Sequence, residues 1–216
     1  MSVINVEVDA RGVATLTLAR AEKHNALSAE MMTELEAAAR DLAMDRAVRV
    51  VVLAAEGRSF CAGGDLAWMR AQFDMDVDTR RVESRRIATV LGALYDLPQP
   101  LIGRVQGNAL GGGVGLVSVC DVAIGVTGVK LGFTETRLGL IPANIGPYVL
   151  ARMGGTPASE VFMSARVFPA DAAAPFHLLS PPVDPGRLDP ALHPHVPPSP
   201  SLPPRALPAP NAAHTH

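Results

Sequence analysis

The distribution of proline divides this chain of 216 residues into two parts. Five of the 19 prolines precede residue 169, and all the others lie between Pro169 and Pro210. Because proline fixes φ and lacks a backbone N–H, the second part cannot hold long helices or central strands. We therefore expect one folded domain over residues 1–168 and a Pro-rich, largely disordered segment over residues 169–216.

The start of the first part predicts a hairpin and a helix. Residues 3–8 and 13–18 alternate apolar and polar side chains, and a turn-forming Arg-Gly pair at 11–12 lies between them. This pattern is typical of two antiparallel strands. The next element is a helix over residues 28–43, with Ser28 as its N-cap and apolar residues at helical spacing.

The middle of the chain alternates buried strands and helices. Residues 48–54 form a nearly continuous β-branched run, as a strand covered on both faces requires, so this strand should be central. A helix over 79–95 follows, then a second buried strand over 101–105, a helix over 114–119 and a third strand over 121–126. The order of elements predicts an α/β domain.

Composition restricts the classes of function. With 48% hydrophobic residues the chain can bury one substantial core, and a net charge of −2 without long Lys or Arg runs argues against nucleic acid as a partner. Cys61 and Cys120 lack the paired spacing of a zinc site, so we expect reduced thiols and no metal. No stretch reaches the ~20 apolar residues of a membrane span, and a soluble cytoplasmic protein is the simplest expectation.

Two glycine-rich turns carry the chemical signal. Residues 59–66 (SFCAGGDL) follow the first buried strand, and residues 106–116 (QGNALGGGVGL) follow the second and open a helix. Unpaired N–H groups at a helix start favour an anion or a developing oxyanion. The glycine spacing fits neither G-x-G-x-x-G nor a phosphate-cradling loop with Gly-Lys-Ser/Thr. Taken singly, the first segment is more often an ordinary loop, and the second fits a helix packed tightly through its glycines equally well.

Together, segments 59–66 and 107–113 resemble, in order and spacing, the two oxyanion-hole segments of the crotonase (enoyl-CoA hydratase/isomerase) superfamily. Residues 20–27 (RAEKHNAL) resemble its CoA-contacting segment, with Ala21 in place of a proline, and the likeness extends through 138–142 (LGLIP) to about residue 168. The resemblance implies a spiral of β-β-α units with stacked sheets and surrounding helices.

The resemblance also implies roles for individual residues. The backbone N–H groups of Ala62 and Gly112 would hold a thioester carbonyl, and Glu135 would be the acid/base. Asp65 is expected to cap the following helix. The other residues expected near substrate or CoA are Lys23, His24, Ala26, Cys61, Gly63, Gly64, Asp65, Leu66, Gly111, Gly115 and Trp68. CoA belongs to the substrate, so no separate cofactor is implied, and the family implies a homotrimer or hexamer.

One departure from the family pattern leaves the reaction open. Where two-carboxylate hydratases carry a second glutamate, this chain has Gly115. Hydration of a 2-enoyl-CoA is the first hypothesis, because residues 111–121 and 138–149 resemble bacterial hydratases of the methylglutaconyl-CoA type, which act in leucine breakdown. A Δ3,Δ2-enoyl-CoA isomerase working with one carboxylate is the alternative. A non-catalytic homologue is a third, because the prolines after residue 169 interrupt the expected C-terminal helical region.

Overall fold

The computed structural model describes residues 2–135 and 139–196. Its strands are β1 (Ile4–Val8), β2 (Val13–Leu18), β3 (Val50–Ala55), β4 (Ser59–Cys61), β5 (Leu101–Val105), β6 (Asn108–Leu110), β7 (Val122–Gly125), β8 (Lys130–Gly132) and β9 (Val167–Pro169). Its α-helices are α1 (Ala29–Met44), α2 (Leu66–Ala71), α3 (Val77–Tyr95), α4 (Gly112–Ser118), α5 (Gly146–Met153), α6 (Gly155–Ser164), α7 (Ala170–Ala173) and α8 (Leu188–Leu192).

The longer strands form a five-stranded sheet in the order β1-β2-β3-β5-β7. β1 and β2 pair antiparallel, which confirms the predicted hairpin, and the other neighbours pair parallel. Every residue of β3 is buried, as its continuous apolar run predicts for a strand in the middle of the sheet.

A second sheet is built from three-residue strands in the order β4-β6-β8-β9. β4 follows β3, β6 follows β5 and β8 follows β7, so each long parallel strand continues into a short one. Helices follow each such pair, which gives the β-β-α units of the predicted fold. The glycine-rich turns therefore run through the short strands of this second sheet.

Helix α1 shows how local sequence and packing agree. The Ser28 hydroxyl accepts a hydrogen bond from the Met31 N–H (3.2 Å), a cap that contributes about 1 kcal/mol. Met31, Leu35 and Leu42 are buried on the face turned to the core. The predicted helix is confirmed and ends one residue later, at Met44.

The prediction of disorder after residue 168 is wrong for residues 169–196. Leu178, Leu179, Leu188 and Leu192 are buried, and the 178–192 segment lies along the edge of the first sheet at β7. Its backbone bonds β7 directly, with the Ser180 N–H donating to Ala123 (2.8 Å). Pro169 is the last residue of the edge strand β9, and Pro185, Pro190 and Pro194 lie in short helices, so none of these four prolines interrupts a central strand or a long helix. The part of the predicted disordered segment from 197 to 216 lies outside the described residues, and the domain boundary at 168 stays a prediction.

Within the described ranges, no helix combines the length and apolar character that crossing a membrane requires. The same residues contain no cluster of three or more His, Cys, Asp or Glu side chains arranged to bind a metal ion.

Candidate active site

A cavity of about 300 Å³ opens where the two glycine-rich segments meet helices α2 and α3. Its walls include Gly64 from the first segment, Trp68 from α2 and Gly112 from the second segment. Glu135 and all the residues of 140–145 also line it. The volume lies at the lower end of the range typical of ligand pockets.

The N-terminus of α4 presents a free backbone donor to this cavity. Gly111, at φ +49°, turns the chain into the helix, and its N–H donates to Gly132 of β8 (2.9 Å). Gly112 is the first helical residue, a position without an intrahelical partner for its N–H. No described residue accepts a hydrogen bond from that N–H. Gly112 therefore lines the cavity with a free N–H, and its role toward a thioester stays a prediction.

The expectation for Ala62 is not supported. Its side chain is exposed, it does not line the cavity, and its N–H donates to the carbonyl of His24 (3.0 Å). Two residues further on, Gly64 lines the cavity with Gly112, and no described residue accepts a hydrogen bond from its N–H. A Cβ on the intervening Gly63 would lie 3.5 Å from the Gly112 nitrogen, so the two segments are in close contact. The residue of the first segment that combines a free N–H with a place in the cavity wall is thus Gly64.

Residue Asp65 holds the first segment in place. Its carboxylate caps α2 by accepting from the Ala67 and Trp68 N–H groups (2.9 and 3.1 Å), which confirms the predicted cap. It also pairs with the Arg20 guanidinium at 2.8 Å. Burial alone would raise the pKa of Asp65, but these hydrogen bonds and the Arg20 charge outweigh it and lower the pKa. Asp65 therefore stays ionised as a structural group.

Residue Asn25 is a structural residue that the sequence analysis did not single out. It is fully buried at φ +54°. Its side-chain oxygen accepts from the Arg20 N–H (2.9 Å), and its amide donates to the carbonyls of Glu56 and Ser59, both at 2.9 Å. Segment 20–27 is thereby tied to the end of β3 and the start of β4. The signal that could have identified it is an asparagine within a predicted turn, because asparagine tolerates positive φ and its side chain bonds nearby backbone groups.

The acid/base candidate Glu135 lies beside the start of α4. A Cβ added to Gly111 would stand 2.8 Å from Glu135 Oε1, so the carboxylate occupies the space next to that glycine. Its Oε2 is buried and has no hydrogen-bond partner among the described residues. Burial raises the pKa of Glu135, and the hydrogen bond from its own backbone N–H only partly opposes this. A half-buried carboxylate with a raised pKa is a suitable proton carrier.

The position of the missing second carboxylate is closed. Gly115 is buried in α4 and does not line the cavity. A Cβ there would lie 2.7 Å from Ile145 Cγ2 and 3.0 Å from Leu91 Cδ1. These two apolar side chains fill the space that a glutamate would need. Among the described residues that line the cavity, Glu135 is the only carboxylate.

The remaining predicted contacts divide between the cavity and its surroundings. Trp68 lines the cavity, and its Nε1 donates to Glu83 (2.9 Å). Cys61 is buried beneath the segment, and burial raises the pKa of its thiol to about 12. The side chain of Leu66 in α2 is exposed, and so is that of Lys23 in segment 20–27.

The three residues of the CoA-like segment 20–27 that were expected near CoA lie outside the cavity. None of Lys23, His24 and Ala26 is part of its lining. The imidazole of His24 is within 3.1 Å of the Ser59 hydroxyl and 3.2 Å of the Arg58 guanidinium. Their proposed role toward CoA stays a prediction.

Comparison with known proteins shows the family of the chain. The family model for enoyl-CoA hydratase/isomerase matches residues 9–180. Mouse mitochondrial methylglutaconyl-CoA hydratase is 33% identical over 182 residues, covering 83% of this chain but only 57% of the mouse protein. The enoyl-CoA hydratase structure from Mycobacterium smegmatis, 34% identical, superposes with a TM-score of 0.85 over 90% of this chain and 75% of that one. One from Shewanella pealeana, 33% identical, gives the same TM-score over 89% of this chain and 72% of that one.

The chain therefore belongs to the enoyl-CoA hydratase/isomerase family, the crotonase superfamily, whose members act on acyl-CoA thioesters. It spans little more than half the length of the mouse relative.

Proposed function

We propose that this chain adds water to a 2-enoyl-CoA thioester. The N–H groups of Gly64 and Gly112 bind the thioester oxygen, and Glu135 transfers the proton. The observation that carries the proposal is the meeting of these three residues in one cavity, with two backbone donors that no described residue uses.

The two glycines supply the electrostatic stabilisation. Attack of water on the β-carbon moves negative charge onto the thioester oxygen, and donors already aimed at that oxygen need no reorganisation as the charge grows. A single donor of this kind is worth about 3 kcal/mol to the transition state. Buried Gly112 is at a helix start, where the partial positive charge of the helix end adds to the effect.

One carboxylate is sufficient for the proton balance. Ionised Glu135 accepts a proton from water as the oxygen bonds to the β-carbon, and the resulting enolate then takes that proton from Glu135 at its α-carbon. The carboxylate is regenerated, and water has been added across the double bond. Burial of Glu135 supports both steps because a raised pKa brings its acid and base forms closer in free energy.

The closed space beside Gly115 favours a second candidate. Isomerisation of a 3-enoyl-CoA needs only one base, which removes an α-proton and returns it to the γ-carbon. Ile145 and Leu91 exclude a second carboxylate, and this reaction would not require one.

The names of similar proteins favour hydration over isomerisation. The mouse relative is named as a methylglutaconyl-CoA hydratase, and the two bacterial structures are named as enoyl-CoA hydratases. A branched 2-enoyl-CoA of the 3-methylglutaconyl type, as formed in leucine breakdown, is therefore our first substrate proposal.

The three hypotheses differ in one spectroscopic experiment. Hydration of crotonyl-CoA or 3-methylglutaconyl-CoA removes the conjugated absorbance and incorporates oxygen from isotopically labelled water. Isomerisation of a 3-enoyl-CoA creates that absorbance without incorporating label, and a non-catalytic homologue changes neither. The Glu135→Gln variant is the control, and label incorporation at an unchanged rate in that variant would contradict the assignment of Glu135.

A further inference from the structure

One face of α3 lines the cavity from its interior to its mouth. Arg80, Ser84 and Ile87 stand at i, i+4 and i+7 on this helix, so they share one face. Ser84 and Ile87 are partly buried, whereas Arg80, in the first turn, is exposed. Leu91 continues the face and is fully buried near Gly115. Arg80 therefore marks the outer end of this wall, about 10 Å along the helix axis from Ile87.

The guanidinium of Arg80 is held in a fixed orientation by main-chain carbonyls. Its Nε donates to Gln72 (2.9 Å), and its Nη2 donates to Phe73 and Met75 (3.0 and 2.9 Å). An arginine has five N–H donors, and these bonds account for those of Nε and Nη2. The two donors on Nη1 have no acceptor among the described residues.

The positive charge of Arg80 is also uncompensated within the part of the chain that the structure describes. Carbonyls accept its hydrogen bonds, but no described carboxylate lies within ion-pair distance of it. The exposed neighbour Arg81 differs, since it pairs with Asp78 at 3.8 Å. A preoriented cation with free donors at a mainly apolar cavity suits a carboxylate.

The second charge of the cavity determines where such a carboxylate can lie. Glu135 is the carboxylate of the reacting end, and it repels a like charge nearby. A charged acyl group is therefore stable only with its carboxylate away from Glu135, toward the mouth where Arg80 stands.

We propose that Arg80 selects acyl-CoA substrates whose acyl chain ends in a carboxylate, by ion pairing through Nη1. This inference rests on the proposed thioester site and adds the residue that would recognise the terminal carboxylate of a 3-methylglutaconyl-type acyl group. Neutral acyl chains of equal length fit the same cavity but leave the cation unpaired.

The inference is tested by binding, so that it does not depend on turnover. Affinities of the full chain for glutaryl-CoA and for pentanoyl-CoA, saturated thioesters with five-carbon acyl groups, are measured by titration calorimetry. We expect the wild type to favour glutaryl-CoA by about tenfold, since a hydrogen bond to a charged group is typically worth about that factor. Arg80→Gln should remove this preference, and Arg80→Lys should retain part of it. Arg81→Gln is the matched control on the same helix turn and should leave both affinities unchanged.

The remaining outcomes are distinguishable. If Arg80→Gln weakens both ligands equally, Arg80 braces the 72–75 segment or contacts CoA itself, and the inference is overturned. It is also overturned if the wild type shows no preference. If neither thioester binds the wild type, the thioester site itself is wrong, whereas normal binding without turnover would overturn only the proposed reaction.

Discussion

Replacement of Gly115 by alanine tests whether the space of the missing carboxylate is closed. The added methyl would stand 2.7 Å from Ile145 Cγ2, 3.0 Å from Leu91 Cδ1 and 3.2 Å from Ile145 Cβ. The shortest of these is below the distance that carbon atoms tolerate, so Ile145 must move. Ile145 is itself buried at 2% exposure, which leaves it little room.

The expected cost follows from two opposing effects. Overpacking a filled core by one methyl costs about 1–3 kcal/mol. Alanine in place of glycine inside a helix stabilises the folded state by about 0.5–1 kcal/mol, because alanine loses less backbone entropy than glycine when the chain folds. The net loss in the free energy of unfolding for Gly115→Ala should therefore be about 1–2 kcal/mol.

A double-mutant cycle with Ile145→Ala isolates the contact. Ile145→Ala alone should cost about 2–5 kcal/mol through the cavity it leaves. In the double variant the methyl at position 115 no longer clashes and enters the vacated space. The double loss should thus be smaller than the sum of the single losses by about 1–2 kcal/mol.

Urea denaturation of the four proteins provides the measurement, with the slope of the transition checked for constancy. Gly155→Ala in α6 is the matched control, because a Cβ at Gly155 meets nothing within 4 Å. That variant should be neutral or slightly stabilised. Additive losses for Gly115→Ala and Ile145→Ala, within about 0.5 kcal/mol, would refute the closed space and reopen Gly115 to a second acid/base group.

Three further predictions concern the cavity and its support. In a steady-state assay, Gly64→Val should lower kcat by about 100-fold or more by crowding the thioester. Ala62→Val, at an exposed position, should keep most of the activity, and the reverse result would restore Ala62 as the donor. Because the pKa of Glu135 is raised and its ionised form is the base, kcat/KM should fall as pH falls through a value above that of an ordinary glutamate, and an acid limb at or below the ordinary value would contradict this. Asp65→Asn should keep the helix cap but lose the ion pair with Arg20, which lowers the free energy of unfolding by about 1–2 kcal/mol. The difference from the wild type should shrink as pH falls through the lowered pKa of Asp65, and a pH-independent difference would argue against a contribution of the ion pair.

The first sheet could be predicted from sequence because its signals are strong and local. β3 is six buried residues in a row, and the hairpin of β1 and β2 alternates on either side of a turn. The cap at Ser28 fixes the start of α1. Each of these signals lies within a single element, so no knowledge of distant contacts was needed.

The second sheet could not be predicted in this way. Three-residue strands such as β4 and β6 are too short to show a period, and they exist because neighbouring turns pair with one another. The prediction of disorder for the Pro-rich stretch was wrong for a related reason. Proline disfavours regular strands but does not prevent the burial of an apolar side chain nearby. Leu179 is buried against Gly125, and a Cβ added to Gly125 would lie only 2.8 Å from Leu179 Cδ1.

The donor pair shows how structure separates glycines that look alike in sequence. Gly107 and Gly113 are required by the fold, since a Cβ at either would lie 2.3 or 2.4 Å from the backbone carbonyl oxygen of Arg58 or Cys61. At Gly64 the shortest contact is 3.1 Å to the flexible end of Met69, and at Gly112 it is 2.8 Å to the end of Leu27.

At Gly107 and Gly113 a side chain would thus clash with backbone atoms. At Gly64 and Gly112 its nearest contacts would be the flexible ends of other side chains. Both Gly64 and Gly112 line the cavity, and their N–H groups have no acceptor among the described residues. Close approach of a ligand carbonyl, as proposed for the thioester, would account for glycine at both positions. Ala62, whose N–H is already bonded to His24, has no such constraint and carries a side chain.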